Sequence, residues 1–502
     1  MQQPKMEKFT KEVTLEKRNK HIGDACALFF QQDPLKIVKA SKQYMYDEQG
    51  HEYLDCINNV CHVGHSHPDV VEAGYEQMKV LNTNSRFLHD NMVLLAEKLV
   101  STMPEGLDVV YFTNSGSEAT DLAIRLAKHH THGTEQITLD HAYHGHIMSA
   151  LDISPYKLRS CTDGLHSHTD QTYIVPAPDI YRGKYRDCDH PEDDLGLLYA
   201  NEIKETLETI KKRKKQVSFF IAESMQSCAG QVIFPPGYLQ KVYKYVHDAG
   251  GICVADEVQV GFGRAGSHFW TFQTQDVIPD IVTIGKPMGN GHPVAAVITT
   301  KDISMNFKNS GMEYFNTYGG NPVSCAIALA VLDVIEKEKL QQNALTTGKY
   351  WLSKLTDMMA EFPIIGDVRG LGLFIGIDLV EDRETRKPAS AEAKHVISRM
   401  KQERIILSTD GPYRNIIKMK PPMCFNQENV DHFCKILTTI FGELKDTNFS
   451  NNAVTTSSKD NQPLENEHVT LNEKHNFVNG QEYVVVHCDK NTSVSLAGTA
   501  AT

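Results

Sequence analysis

The segments GICVADEVQVGFGR (residues 251–264) and IVTIGKPMGNG (residues 281–291) are the most informative part of this chain. Each begins with an apolar run that is too short for a typical helix and too apolar for an exposed loop, which predicts a buried strand. An ionisable residue follows each run directly, Asp256 after the first and Lys286 after the second. Because parallel sheets present functional groups at the carboxyl ends of their strands, we expect these two side chains to meet at one edge.

The same pattern extends towards both ends of the chain. Val109–Thr113 and Val217–Ala222 are further candidates for buried strands, and Glu223 follows the second of them. Tyr238–Ala249 has apolar residues at helical spacing and precedes two glycines, which predicts a helix that stops before the next strand. Strand-like runs that alternate with helical patterns are typical of an α/β domain whose parallel sheet is covered by helices.

Three ionisable residues at predicted strand ends have two possible explanations. A buried charge requires a partner or a function. Taken alone, each of Glu223, Asp256 and Lys286 is explained by an ion pair at the sheet edge. Taken together, they indicate a functional site.

The C-terminal part of the chain has a different pattern. Glycine-interrupted strands (VRGLGLFIGIDLV, residues 368–380) precede a predicted helix at Ala391–Arg404, a strand IILS (residues 405–408) and a helix near Val430–Leu444. This order predicts a smaller α+β domain, in line with a length of 502 residues that exceeds one hydrophobic core. Beyond residue 446 polar residues dominate, which predicts a mostly disordered tail with YVVVHC, from residue 483, as the exception.

Composition and charge exclude several classes of protein. The formal net charge of −12 argues against a nucleic-acid-binding face, which needs a basic excess. The sequence has no run of about 18 apolar residues, which a membrane span would need, and its first residues lack the apolar core of a secretory signal. Eleven cysteines without a C-x-x-C pair fit a reducing compartment. We therefore expect an intracellular protein, with the cytoplasm and the mitochondrion both open.

The turn Asn114-Ser115-Gly116-Ser117-Glu118 follows a predicted strand and begins a helix. The unpaired N–H groups and positive dipole of such a helix start bind phosphate, and Gly116 lets the backbone approach closely. An ordinary helix cap explains the turn equally well. There is no G-x-G-x-x-G fingerprint after a strand, and Pro287 follows Gly285-Lys286 where a P-loop needs Ser or Thr. A phosphate other than that of a nucleotide is therefore a hypothesis.

Five motifs in order give the chain a resemblance to a known family. They are NSGSEA from residue 114, HAYHGH from 141, ADEVQVGFGR from 255, GKPMGNGHP from 285 and NTYGGNP from 316. This combination resembles the class III aminotransferases, which use pyridoxal 5'-phosphate (PLP), and the similarity extends over about residues 33–443. LDCINNV, VGHSHP, LNTNSRFLHD, SPYK, YRGKYR and KPPMCF resemble most the branch of ethanolamine-phosphate and phosphohydroxylysine phospho-lyases, also called alanine-glyoxylate aminotransferase 2-like.

The resemblance implies a fold type I PLP-dependent transferase, α/β in class. Its large domain, residues 81–340, is expected to hold a mostly parallel seven-stranded sheet. Residues 1–80 are expected to contribute to the smaller α+β domain of residues 341–445, and residues 446–502 form the tail. A homodimer is also implied, with a homotetramer as the alternative.

The resemblance assigns the catalytic pair. Lys286 matches the Schiff-base lysine, a role that suits lysine because its pKa falls readily on burial. Asp256 matches the carboxylate that pairs with the pyridinium nitrogen of PLP and keeps its ring electron-poor. The resemblance also matches Gly116 and Ser117 to the phosphate cradle, Tyr143 to the aromatic stacked on the ring and Gln259 to a partner of the ring hydroxyl. Glu223 and Thr317 match further cofactor contacts.

These matches differ in position and in fit. Thr317 is expected to reach the phosphate of PLP in the neighbouring subunit. Glu223 departs from the family pattern in its context, because Ser224 follows it where a proline is usual.

The predicted reaction depends on how the substrate anion is held. Class III transaminases commonly carry an arginine three residues before a Pro-Pro pair, and the matching residue here is Lys418. A point charge in place of a planar clamp favours a phosphorylated amine over a standard α-amino acid. Arg86, Arg182 and Lys418 are candidates for binding the phosphate, with ion pairs as the alternative explanation.

The leading hypothesis is elimination of phosphate from O-phosphoethanolamine. An alanine-glyoxylate or ω-amino acid aminotransferase and a phosphohydroxylysine phospho-lyase are the alternatives among enzymes, and a PLP-binding protein without turnover is the alternative outside them. The histidine groups 62, 65, 67 and 141, 144, 146 lack a structural-zinc ligand set, so we expect loop and site-wall histidines and no metal.

Overall fold

The computed structural model describes residues 7–158, 168–446, 472–478 and 481–487. The helices are α1 (Lys11–His21), α2 (Pro68–Val80), α3 (Asp90–Val100), α4 (Gly116–Thr131), α5 (Met148–Asp152), α6 (Pro155–Leu158), α7 (Leu195–Lys212), α8 (Tyr238–Asp248), α9 (Lys301–Asn309), α10 (Pro322–Lys337), α11 (Leu340–Glu361), α12 (Ser390–Gln402) and α13 (Gln427–Asp446). Two 3₁₀ helices cover Thr271–Gln275 and Lys286–Gly289.

The strands of the N-terminal half are β1 (Ile37–Ser41), β2 (Tyr44–Asp47), β3 (Glu52–Asp55), β4 (Val109–Thr113), β5 (Glu135–Leu139), β6 (Thr172–Val175) and β7 (Val217–Glu223). Those that follow are β8 (Ile252–Asp256), β9 (Ile281–Ile284), β10 (Ala295–Thr299), β11 (Ile365–Leu371), β12 (Phe374–Asp382), β13 (Lys387–Pro388), β14 (Ile405–Ile406), β15 (Ser408–Asp410), β16 (Ile416–Met419), β17 (Asn472–Val478) and β18 (Gln481–His487).

A seven-stranded sheet forms the centre of the fold, in the order β4-β10-β9-β8-β7-β5-β6. β5 to β9 pair in parallel, and β10 alone runs antiparallel to its neighbours β4 and β9. The predicted α/β class and mostly parallel sheet are therefore confirmed. β4 has its predicted bounds, β9 matches the predicted run 281–284, and β7 extends one residue beyond its predicted end. β8 begins and ends one residue after the predicted run 251–255. β7 and β8 include Glu223 and Asp256 because these two residues are still in register as parallel partners.

Helix α4 supplies one side of the core. Its buried face packs with apolar residues of the strands, among them Phe219, Ile221 and Val254. On α8, buried residues recur at helical spacing along the predicted segment. That helix ends before Gly250, whose φ of +80° lies in the left-handed region that glycine adopts without strain.

The strands that precede and follow the central sheet in the sequence form two smaller sheets. β1-β2-β3-β14 joins residues far apart in sequence, since Ile405 pairs in parallel with Leu54. β11-β12-β16-β15 forms the second sheet, with β13 on β12. The predicted glycine-interrupted strands appear as β11 and β12, the predicted strand IILS as β14 and the start of β15, and the two predicted helices as α12 and α13. β13 and β16 were not predicted. Because β3 pairs with β14, we propose that residues 1–80 contribute to the smaller domain.

The C-terminal residues form a unit of their own. Within it β17 and β18 pair antiparallel, and the rest of the predicted tail lies outside the described residues. Within the described ranges, no helix combines the length and apolar character that crossing a membrane requires.

Candidate active site

A cavity of about 370 Å³ lies where β7, β8 and β9 end and α4 begins, a size within the range of ligand pockets. Every residue that the sequence assigns to the cofactor, apart from Thr317, lines this cavity: Gly116, Ser117, Tyr143, Glu223, Asp256, Gln259 and Lys286. Residues 170 positions apart in sequence meet here because the parallel strands present their carboxyl ends at one edge.

Asp256 is anchored on two sides. Its side chain accepts a hydrogen bond from Nδ1 of His144 at 2.7 Å and another from the backbone N–H of Val258 at 3.0 Å, and the residue is 4% exposed. The two contacts fix the orientation of this buried side chain. Nε2 of His144 is buried without a hydrogen-bond partner among the described residues. Sequence reasoning predicted a site-wall histidine but missed this contact, because nothing in HAYHGH indicates a strand end 112 residues away.

Glu223 lies beside Asp256 and has a different environment. It accepts hydrogen bonds from the backbone N–H groups of Tyr143 (3.3 Å) and Ser227 (3.1 Å). Burial raises the pKa of Glu223 to about 7, with the nearby His144 acting in the opposite direction. A carboxyl group with such a pKa can take up or release a proton near neutral pH.

Ser224, which replaces the usual proline, has a contact of its own. Its hydroxyl donates to the carboxylate of Glu257 at 2.5 Å. Glu257 also accepts the backbone N–H groups of Thr271 and Phe272 at 2.9 Å, and burial raises the pKa of Glu257 to about 7. The departure from the family pattern therefore adds a donor to a buried carboxylate and leaves Glu223 at the cavity.

Lys286 begins the 3₁₀ helix that follows β9. Burial lowers the pKa of Lys286, and the nearby Asp256 partly opposes this effect. A larger fraction of the side chain is therefore the neutral amine, the form that attacks a carbonyl and accepts a proton.

The start of α4 forms the opposite end of the cavity. The Ser115 side chain caps the helix by accepting the N–H of Glu118 at 3.2 Å, which leaves the N–H groups of Gly116 and Ser117 in the unpaired first turn. A Cβ at position 116 would lie 2.9 Å from Cγ1 of Val258, so only glycine fits there without a shift. The helix cap and the anion site thus coexist.

Tyr143 and Gln259 complete the predicted cofactor contacts. Tyr143 packs edge-on against Tyr156, with ring centroids 6.3 Å apart. The side-chain oxygen of Gln259 accepts a hydrogen bond from Nζ of Lys420 at 2.5 Å. Lys420 is a site residue that sequence reasoning missed, although it begins the KPPMCF motif.

Thr317 and Arg86 lie outside this cavity. Thr317 is exposed. Arg86 is also exposed, pairs with Glu313 at 3.2 Å and stacks over the ring of Phe315 at 4.1 Å. Both residues therefore belong to the surface around residues 313–317.

Arg182 and Lys418 are held by carboxylates. Arg182 makes a two-point ion pair with the buried Asp378, at 2.8 and 2.5 Å, and its side chain is 8% exposed. Lys418 pairs with Asp410, which also accepts the hydroxyl of Tyr156 at 2.9 Å. The charge of Lys418 lowers the pKa of Lys286, and the charge of Glu223 raises the pKa of Lys418. Lys418 therefore lies near the cavity.

The histidines of the first trio have separate partners. His62 contacts the carbonyl oxygen of Phe262, whereas His65 and His67 contact Asp55 and Glu338. Of the part of the chain that the structure describes, one group could bring three metal-ligand atoms together, and it consists of His247, Cys253 and Asp280.

The chain belongs to the class III aminotransferases. A sequence profile described as "Aminotransferase class-III" matches residues 30–441, which is most of the chain. It is therefore an enzyme of this PLP-dependent family, whose members act on small amine substrates. The predicted fold type I is confirmed by the solved structures of the family that share its architecture.

The chain is similar to relatives that are named for two different reactions. The chain is 56% identical over 428 residues to "Alanine--glyoxylate aminotransferase 2-like" from Drosophila melanogaster, covering 85% of this chain and 86% of the relative. It is 44% identical over 430 residues to "Ethanolamine-phosphate phospho-lyase homolog 1" from Caenorhabditis elegans, covering 84% and 91%. The structure of a phospholyase from Arthrobacter in complex with phosphoethanolamine is 36% identical, with a TM-score of 0.80, and covers 86% of this chain and 100% of that one.

The residues present fit PLP. The unpaired N–H groups of α4, with a glycine that no other residue can replace without a shift, suit its phosphate. The anchored carboxylate of Asp256 suits its ring nitrogen, and Lys286 lies on the same cavity. When bound, PLP supplies an electron-poor ring that stabilises negative charge on the substrate carbon next to nitrogen.

Proposed function

We propose that this enzyme is a lyase that converts O-phosphoethanolamine and water to acetaldehyde, ammonia and phosphate. The observation that carries the proposal is Lys418, which stands where the family's transaminases commonly have arginine. A carboxylate clamp needs the planar, two-pronged guanidinium, whereas an ammonium serves as a point charge for a phosphate. Arg182 and Lys418 each pair with a carboxylate. The charge of Lys418 also lowers the pKa of Lys286, so we assign the leaving phosphate to Lys418 among the three candidates.

The chain's own residues support this chemistry in three ways. The amine of Lys286 is suited to take the proton from the carbon next to nitrogen, since burial lowers its pKa. The C–O bond then breaks, and phosphate leaves with the electron pair towards Lys418. Glu223 has a pKa of about 7 and can supply or accept protons while water completes the hydrolysis.

The relatives support this proposal and also its rival. One relative is named for the phospho-lyase reaction, and the Arthrobacter structure holds phosphoethanolamine. The relative with 56% identity is named for a transaminase instead. An aminotransferase that passes the amino group to a keto acid is therefore the second candidate.

One experiment separates the two candidates. The purified yellow protein is mixed with phosphoethanolamine and no keto acid, and inorganic phosphate and acetaldehyde are measured over many turnovers. Equal amounts of both products establish the lyase. If no phosphate forms, while an amine donor bleaches the cofactor and glyoxylate or pyruvate restores its colour, the transaminase is correct.

We further propose a homodimer in which Thr317 reaches the cofactor phosphate of the partner subunit. Thr317 is exposed and lies outside its own cavity, beside the surface that carries Arg86 and Phe315. Mixing Lys286→Ala with Thr317→Val subunits should restore activity to about a quarter of wild type, since half the dimers then carry one intact site. Sedimentation distinguishes dimer from tetramer, and an unchanged, low activity of the mixture contradicts the shared site.

We propose that the protein is located in the mitochondrion or the cytoplasm. Fractionation of cells that express the full chain shows which of the two compartments contains it.

A further inference from the structure

Lys420 is a buried lysine without an acid beside it. The residue is 4% exposed and follows β16, and its Nζ donates to the side-chain oxygen of Gln259 at 2.5 Å and to the hydroxyl of Ser227 at 2.8 Å. Neither partner is charged, and among the described residues no carboxylate forms an ion pair with Lys420. Lys418, two residues earlier, has Asp410. Burying a lysine side chain without a charged partner costs free energy, so Lys420 requires an explanation that packing does not supply.

The electrostatic surroundings of Lys420 increase this cost. Burial lowers the pKa of Lys420 well below its ordinary value, and Lys418 and Lys286 lower it further, while Cys228 and Asp410 act in the opposite direction. An anion or a negatively polarised oxygen nearby would stabilise the ammonium. Gln259 connects Lys420 to the cavity where such an oxygen is expected.

The contact with Lys420 fixes which end of the Gln259 amide faces the cavity. Nζ of Lys420 donates to the side-chain oxygen of Gln259, so the carbonyl end of the amide points to Lys420. The NH₂ group is then the other end of an amide that lines the cavity. Without Lys420, a rotation of the amide would exchange a donor for an acceptor at the same place.

We infer that Lys420 is a positioning residue: it holds the carbonyl oxygen of Gln259 so that the Gln259 NH₂ group donates to the ring oxygen of bound PLP. This role rests on the family's cofactor and not on the lyase proposal, so it holds for an aminotransferase as well. Lys420 acts through Gln259 and touches neither substrate nor cofactor in this role.

The test compares the holoenzyme with Lys420→Met, Gln259→Met and the double variant. Visible absorbance of the bound cofactor is titrated against pH, and the dissociation constant of PLP is measured by equilibrium dialysis. A donor at the ring oxygen makes the chromophore easier to deprotonate, so Lys420→Met, which frees the Gln259 amide to rotate, should raise the pH midpoint by about one unit. In the Gln259→Met background the same change should add little, because the residue through which it acts is absent.

The remaining variants serve as controls. Lys420→Arg keeps a cation and donors and should bring the midpoint part of the way back to the wild-type value. Ser227→Ala removes the other acceptor of Lys420 and should leave the midpoint near its wild-type value. Thermal melting checks each fold, and Lys420→Gln replaces Lys420→Met if the latter does not fold. An equal shift in both backgrounds means that Lys420 acts directly, and no shift in a folded variant means no positioning role; either result overturns the inference. Neither depends on which products form.

Discussion

The two walls of the active site differ in how their charges are compensated. On the wall formed by β7, β8 and β9, Asp256 has His144 and Glu223 has two backbone N–H groups, all within hydrogen-bond distance. On the side that follows β16, Lys418 has Asp410, but Lys420 contacts only neutral groups. Alternation along an extended chain puts these two lysines on one face.

This difference separates the chemistry that the family shares from what is particular to this chain. The strand-end wall holds the groups that suit PLP, and its two carboxyl groups, Asp256 and Glu223, are each locked by hydrogen bonds. On the side that follows β16, here called the lysine side, Lys418 has an ammonium where the family's transaminases commonly carry a guanidinium. We therefore expect substitutions on the first wall to abolish turnover, and those on the second to change substrate preference and cofactor electronics.

The largest effect is expected from Lys286→Ala on the strand-end wall. Turnover should fall by about 10⁴-fold or more, because the amine that bonds to the cofactor and moves the proton is absent. Product formation in the lyase and transaminase assays measures this effect. The matched control is Lys301→Ala, since Lys301 is exposed at the surface. Comparable activity in both variants would contradict the assignment of Lys286.

Asp256→Asn tests the charge on the same wall with almost no change in shape. We expect a loss of turnover of about 10³-fold, the size typical of removing a preorganised electrostatic partner. Steady-state kinetics measure the loss, and thermal melting shows whether the contact with His144 still supports the fold. Asp256→Glu, which keeps the charge, should retain more activity than Asp256→Asn. The reverse order would show that shape matters more than charge.

Glu223→Gln tests the raised pKa through stability. The carboxyl is protonated in the folded state up to a pH of about 7, whereas it loses its proton near 4.5 in the unfolded chain. Between these values the folded state binds more protons, so the stability contributed by Glu223 is full below 4.5 and is lost as the pH rises through 7. The variant should therefore gain about 3 kcal/mol on wild type across this window and stay level above it.

Urea unfolding of both proteins from pH 4.5 to 8 gives these free energies. Glu257→Gln is the parallel variant, because burial raises the pKa of Glu257 to about 7 as well. A stability difference that does not change with pH would mean that Glu223 is ionised throughout.

The smallest effect is expected on the lysine side. Lys418→Met should lower kcat/KM for phosphoethanolamine by about 10- to 100-fold, the value of a hydrogen bond to a charged group. Lys354→Met is the matched control, since Lys354 pairs with Asp431 at the surface and is 43% exposed. Steady-state kinetics with both variants measure the effect. An equal kcat/KM for the two would remove Lys418 from the phosphate site.

Much of the fold was predictable because its signals are local. The run Ile281–Ile284 is buried along its whole length in the middle of the sheet, and the helix Tyr238–Asp248 ends just before Gly250, whose φ is left-handed. The pairing of Ile405 with Leu54 has no local signal, since it joins short strands some 350 residues apart and depends on the chain path between them.

The candidate site divides in the same way. Asp256 and Lys286 were predicted because each directly follows a buried strand, and the motifs around them are specific. The sequence candidates Arg86 and Arg182 were chosen by charge alone, and charge does not show which carboxylate lies nearby. Lys420 was overlooked because attention went to Lys418, the position that matches the family's arginine.

The sequence by itself determined the class of fold, the edge of the sheet that carries the chemistry, the family and its cofactor. These follow from residue order, since strand ends and short motifs are contiguous in the chain. Only the tertiary structure decided how each charge is compensated: His144 on Asp256, Ser224 on Glu257, and neutral partners alone on Lys420. Compensation depends on distances of about 3 Å between residues remote in sequence, and those distances are set by packing.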